Sequence, residues 1–113
     1  MTAAVGDFPG REDFAKRFKA EYGSDPTGYS ATGYACAQVV IDALNRTAAS
    51  ADMKALRENL RVAAVDTTHK YTSVIGEFTF DANGDTSQKI ISFYGYDAAT
   101  KDWAFKSQLD FAK

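Results

Sequence analysis

The sequence predicts an α/β chain in which a short strand and three helices precede a β-meander. Three observations carry that prediction. Apolar residues recur at helical spacing from Phe14 to Leu60. From Tyr71 onward the pattern turns β-prone and then alternates with period two. Between two such runs stands Asn83-Gly84, a strong short-range hairpin signal.

The elements follow in order. Thr2 to Val5 is a short apolar run that reads as a strand end, and Gly6 to Gly10 is loop. From Arg11 to Tyr22, aromatic residues stand at Phe14, Phe18 and Tyr22, one turn apart, with charges on the other face. Acidic residues come early in this helix and basic ones late, as the helix dipole prefers, and Gly23 is placed to end it. Asp25 to Gly28 reads as a turn, with Pro26 fixing φ and Gly28 admitting a positive φ. The turn opens the most apolar helix of the chain. Tyr34, Ala37, Ile41 and Leu44 form one row, and Ala35, Val39, Val40 and Ala43 widen it. A helix apolar over most of its circumference is expected to be buried between other elements. It should end near Asn45 or Arg46. Ser50 or Asp52 then caps an amphipathic helix from Met53 to Val62. Tyr71 to Gly76, Glu77 to Asp81, Lys89 to Tyr96 and Trp103 to Phe105 read as strands, with Leu109 to Lys113 a tail.

Composition narrows the function. The chain has 113 residues, 45% hydrophobic and 25% charged, the balance of a globular domain. Its net charge of −2 argues against a nucleic-acid binder. No apolar run reaches the length of a membrane span. Met1 to Val5 lacks the charged and apolar regions of a signal peptide, so the protein is cytosolic or its export signal lies outside this chain. A single cysteine excludes an internal disulfide, and Cys36, set among Ala35, Ala37 and Val39, is expected as a small buried hydrophobe.

Candidate chemistry is sparse. His69, the one histidine, reads as a solvated loop residue, because Asp66 and His69 are too few ligands for a structural zinc. Asp81-Ala82-Asn83-Gly84-Asp85 starts like a calcium loop but departs from the pattern at Thr86 and Ser92, which makes it a hairpin turn. Asn45-Arg46-Thr47 matches a glycosylation sequon of the kind that arises by chance. No nucleophile–base set and no glycine-rich phosphate loop is present in the sequence. The residues therefore point to binding or assembly, without catalysis, metal or cofactor.

Several segments, read together, resemble the C-terminal part of the leucine/isoleucine/valine-binding protein family, the type I periplasmic solute-binding proteins of ABC transporters. They are Phe14 to Gly23, Asp25 to Tyr34, Ala55 to Leu60 and Ile75 to Asp85, in family order and spacing. The resemblance implies a two-lobe α/β fold that closes on a small solute. It implies that this chain is about the last third of such a protein, with residues 1–24 in the second lobe, 29–76 supplying helices of the first lobe, and 77–113 strands that cross the hinge. For the ligand cleft it points to Tyr29, and to Ser30 and Thr32 beside it. Tyr29 can pack an aliphatic side chain and offer its hydroxyl, or it can staple the turn to the helix; Tyr34 is expected in the core. The implied partners are an amino acid or similar solute and a membrane permease, in the periplasm or another extracytoplasmic space. The groups that grip an amino acid's charges lie mostly outside these motifs, so the chain by itself is expected to bind poorly and to self-associate through bare faces. A self-assembling α+β module, or a sensor domain of the same fold, is the alternative.

Overall fold

The computed structural model describes residues 7–111. Three helices, α1 (Arg11–Tyr22), α2 (Ser30–Arg46) and α3 (Met53–Ala64), are followed by four strands. These are β1 (Tyr71–Ser73), β2 (Gly76–Phe78), β3 (Ile90–Asp97) and β4 (Asp102–Asp110). The apolar run at Thr2 to Val5 lies outside the described residues.

Local chemistry sets most helix ends. Gly23 closes α1 in the left-handed conformation, φ 72°, with its amide donating to the Lys19 carbonyl at 2.9 Å. The Asp52 carboxylate caps α3 by accepting from the Lys54 amide at 3.0 Å. Gly28, by contrast, is not among the glycines with positive φ, so the turn before α2 is made without one.

The core is a small nucleus where α2, α3 and the β1–β2 hairpin meet. Tyr71 pairs with Phe78 across the hairpin and the rings stack at 5.7 Å, with Phe80 edge-on at 5.5 Å from Tyr71. Ala35 and Ala43 are buried on α2. The Gln38 side-chain oxygen accepts from the Val74 amide at 2.8 Å and ties α2 to the hairpin turn. The Tyr71 hydroxyl lies 3.0 Å from the Ala64 carbonyl and 3.2 Å from that of Ala63, satisfying orphan carbonyls at the end of α3. Arg46 donates to the same Tyr71 hydroxyl at 2.7 Å, to the Ala63 carbonyl at 2.9 Å and to Asp42 at 2.6 Å.

The expected meander is instead two separate two-stranded antiparallel sheets, β1–β2 and β3–β4. Asn83-Gly84 closes only an isolated bridge between Phe80 and Thr86. The reason is local. Asp81 accepts from the Asn83 amide at 2.8 Å and the Asp85 amide at 3.0 Å, and Ser87 takes the Thr79 amide at 3.0 Å. The loop satisfies its own backbone and does not extend a ladder into β3. The strand expected at Trp103 to Phe105 runs on through Leu109, because β3 offers it a partner from Asp97 back to Ile90. Lys106 is the unpaired residue of a bulge, since Phe93 faces Ser107 while Tyr94 faces Phe105.

The chain is elongated, with extents of 57 × 36 × 20 Å. Its radius of gyration of 16.8 Å exceeds the roughly 13 Å of a compact domain this long. No single core gathers the described residues, and this corrects three expectations. The central helix is not enclosed: Ala31, Thr32, Ala35 and Ala43 are buried, but Val40, Ile41 and Leu44 are exposed. Cys36 sits on that open side and is exposed as well. Tyr34 is half-exposed and rests edge-on against Phe14 at 5.8 Å, at the margin of the core.

Candidate functional site

The segment from Asp25 to Thr32 joins α1 to α2 and holds all three site residues expected from the sequence. Lys19 pairs with Asp25 at 3.1 Å, an exposed contact that loosely fixes the start of the turn. The Thr27 amide donates to the Ser30 hydroxyl at 2.9 Å, and the Ser30 amide returns a bond to the Thr27 carbonyl at 3.1 Å. This reciprocal pair sets where α2 begins. Tyr29 occupies the N-cap position with helical φ and ψ and makes no side-chain cap.

The three side chains differ in exposure. Tyr29 is 61% exposed. Thr32 is 7% exposed and its hydroxyl has no hydrogen-bond partner among the described residues. Ser30 lies between them and lines an open, mainly aromatic groove of about 570 Å³ with Phe14, Phe18, Tyr22 and Tyr34. The aromatic seam of α1 is thus one wall of a groove whose other wall is the start of α2.

The same segment lines a second cavity of about 330 Å³. Three segments distant in sequence build it: Phe8 and Arg11 at the start of α1, the turn from Asp25 to Gly28 with Ala31, and Tyr94 of β3. Gly28 and Ala31 line it, interleaved with the expected Tyr29, Ser30 and Thr32. Sequence reasoning missed Arg11 and Tyr94. Arg11 is one of many charges on the outer face of an amphipathic helix, and Tyr94 is one aromatic in a strand full of them; neither carries a local signal of a cavity.

His69, expected to be solvated, belongs to the nucleus. Its Nε2 lies 3.0 Å from an Asp42 carboxylate oxygen, in ion-pair contact without hydrogen-bond alignment. Its ring stands edge-on to Tyr71 at 4.7 Å. Burial raises the Tyr71 hydroxyl above its ordinary pKa. Burial opposes the Arg46 charge too, but the hydrogen bond to Asp42 and the neighbouring Tyr71 outweigh it and raise the guanidinium. Asp66 accepts from the Thr68 hydroxyl and amide, and these bonds lower its pKa. Asp81 is lowered by the amides of Asp85 and Asn83. Among the described residues no group of three histidine, cysteine or carboxylate side chains is placed to hold a metal ion. Among them, too, no helix is long and apolar enough to cross a membrane.

No protein-family model matches the chain. It is 36% identical over 81 residues to a Leu/Ile/Val-binding protein homologue of Brucella abortus strain 2308, a match covering 71% of this chain and 20% of that protein. A homologue of the same name from Brucella suis biovar 1 is 35% identical over the same length. The chain therefore spans about a fifth of the length of the curated relatives it matches. Among solved structures, a leucine-binding protein of Thermotoga maritima superposes with a TM-score of 0.63 at 24% identity, over 95% of this chain and 28% of that one. An ABC transporter substrate-binding protein from Desulfitobacterium hafniense superposes with a TM-score of 0.61 at 22% identity, over 87% of this chain and 27% of that one. These likenesses show the fold, a portion of the type I periplasmic-binding-protein architecture.

Proposed function

We propose, from the premise that the chain belongs over its matched residues to the Leu/Ile/Val-binding protein family, that it forms part of the substrate-binding component of an ABC importer for branched-chain or related amino acids. The observation that carries this reading is the 36% identity over 81 residues to proteins named for binding these solutes. The role is binding, not catalysis. The place of action is the periplasm or another extracytoplasmic space, and the partner is a membrane permease.

In this reading residues 1–24 and 29–76 contribute to opposite lobes, and residues 77–113 cross the hinge between them. A hinge suits the loose join at Asp25 to Gly28, which is held by one exposed ion pair and one reciprocal hydrogen-bonded turn. Tyr29, Ser30 and Thr32 stand at the cleft. Tyr29 offers an exposed ring to an aliphatic side chain, and the buried Thr32 hydroxyl has its hydrogen-bonding capacity unused among the described residues.

The test is calorimetric titration of leucine, isoleucine and valine into the protein in its natural polypeptide, with any sequence that flanks these 113 residues. At least one should bind saturably, and Tyr29→Ala should weaken it at least tenfold. No heat and no thermal shift with any of the three defeats the reading. A second reading, self-association, is favoured by the open apolar face of α2 at Val40, Ile41 and Leu44. Light scattering decides it: a concentration-independent monomer mass excludes it.

A further inference from the structure

We propose that Gln88 is the pin that sets the β3–β4 hairpin against the nucleus of α2, α3 and the β1–β2 hairpin, by donating its side-chain amide to the two carbonyls that flank Gly76. The pin needs no ligand, so it holds or falls independently of the amino-acid reading above.

The two sheets are separate, so no ladder of backbone bonds fixes the angle between them. β3 and β4 pack mainly on each other. Apolar packing does not fill the join either: Ile75, Ile90 and Gln108 line a cavity of about 320 Å³ there, together with residues 7–9. The join is made instead by residues 86–88, lying beside β2. The Ser87 amide donates to the Thr79 carbonyl at 2.9 Å, and the Thr79 amide donates to the Ser87 hydroxyl at 3.0 Å. The Gln88 amide donates to the Thr86 hydroxyl at 2.9 Å, which steadies the backbone from which the Gln88 side chain departs.

That side chain reaches furthest back into the nucleus. Its Nε2 lies 3.1 Å from the Ile75 carbonyl and 3.3 Å from the Glu77 carbonyl. A carboxamide nitrogen carries two hydrogens, and here each has its own acceptor. Gly76, between the two acceptors, leaves room for this approach: a Cβ there would stand 3.3 Å from Nε2, and its φ of 105° also favours glycine. The turn that Gln88 grasps is itself anchored, because the Val74 amide donates to the Gln38 side-chain oxygen at 2.8 Å. One glutamine holds the 74–75 turn to α2, and the other holds it to the start of β3.

Position gives Gln88 its leverage. It stands two residues before β3, at the base of the hairpin, where the Phe111 amide donates to the Lys89 carbonyl at 2.8 Å. From there the eight residues of β3 extend about 26 Å at roughly 3.3 Å per residue. A small rotation at the base therefore becomes a large displacement at the tip. If residues 77–113 cross a hinge, Gln88 marks the point where they leave the nucleus.

The experiment measures the distance between two nitroxide labels on the natural polypeptide by pulsed electron paramagnetic resonance. The labels sit on Lys54→Cys in α3 and Thr100→Cys at the hairpin tip, both exposed, with Cys36→Ala to keep the label off α2. Gln88→Met removes the donors at similar size and should widen the distance distribution at least twofold. Gln88→Lys keeps a donor and should retain the original width. The slowly exchanging amides of β1 and β2 should stay slow in both variants. An unchanged width in Gln88→Met overturns the proposal, as does equal widening by Met and Lys, which would make shape and not donation the cause. Loss of the slow amides of β1 and β2 in Gln88→Met shows a general structural role and overturns it too.

Discussion

The β1–β2 hairpin and the β3–β4 hairpin are both rich in aromatic residues, yet they treat their rings in opposite ways. In the first, Tyr71 and Phe78 are buried against α2 and α3, and Tyr71 is 2% exposed. In the second, Tyr94 meets Phe105 at 6.0 Å and Tyr96 meets Trp103 at 5.9 Å, but Trp103 remains 66% exposed. The second hairpin is longer and better paired, yet β3 and β4 pack mainly on each other. Strand pairing by itself does not make a core. Stability follows from a second element that covers the rings, and among the described residues α2 and α3 provide it.

The comparison is sharpened by substitution. Tyr71→Ala has the largest expected effect, about 3–5 kcal/mol of destabilisation, because it empties a buried ring site and releases the carbonyls at the end of α3. Denaturant unfolding should show the loss as a fall in midpoint. Arg46→Ala follows at about 2 kcal/mol, since one guanidinium joins Asp42, the Ala63 carbonyl and the Tyr71 hydroxyl. Trp103→Ala removes a larger ring but should cost below about 1 kcal/mol, the scale of an exposed cross-strand pair. Equal losses for Trp103→Ala and Tyr71→Ala would break the comparison.

The pH dependence separates the regions again. Tyr71 has a folded pKa raised above its ordinary 10.0, chiefly by burial. Its contribution is therefore fully present below pH 10.0 and is lost as pH rises through the higher folded value. Tyr71→Phe should flatten the alkaline limb of a stability–pH curve. Asp81 is lowered below 3.8 by the turn amides, so its smaller contribution is present above 3.8 and fades as pH falls through the depressed value. Asp81→Ala should remove that acid limb and leave the alkaline one intact.

What could be read from the sequence follows the range of the forces involved. The helix of Phe14, Phe18 and Tyr22, its end at Gly23 and the cap at Asp52 all depend on neighbours within a turn, and all three stand where the pattern puts them. The break between β2 and β3 was not legible, because alternation shows a strand but not its partner. Neither was the contact of His69 with Asp42, which joins a loop to α2 across the whole of α3. The exposure of Cys36 was missed because an apolar helix face shows the wish for a cover, not its presence. The expected site residues do share one segment, but the cavity beside them is lined also by Arg11 and Tyr94, which are brought there by the packing of distant elements.

Hydrogen exchange of the natural polypeptide, with and without saturating leucine, tests the account most directly. The account predicts that amides of β1, β2 and the later turns of α2 are the slowest in both states. Leucine should add protection at residues 25–32 and little elsewhere among the described residues. Protection that is unchanged by leucine, or that appears only in the Tyr71 nucleus, would contradict it.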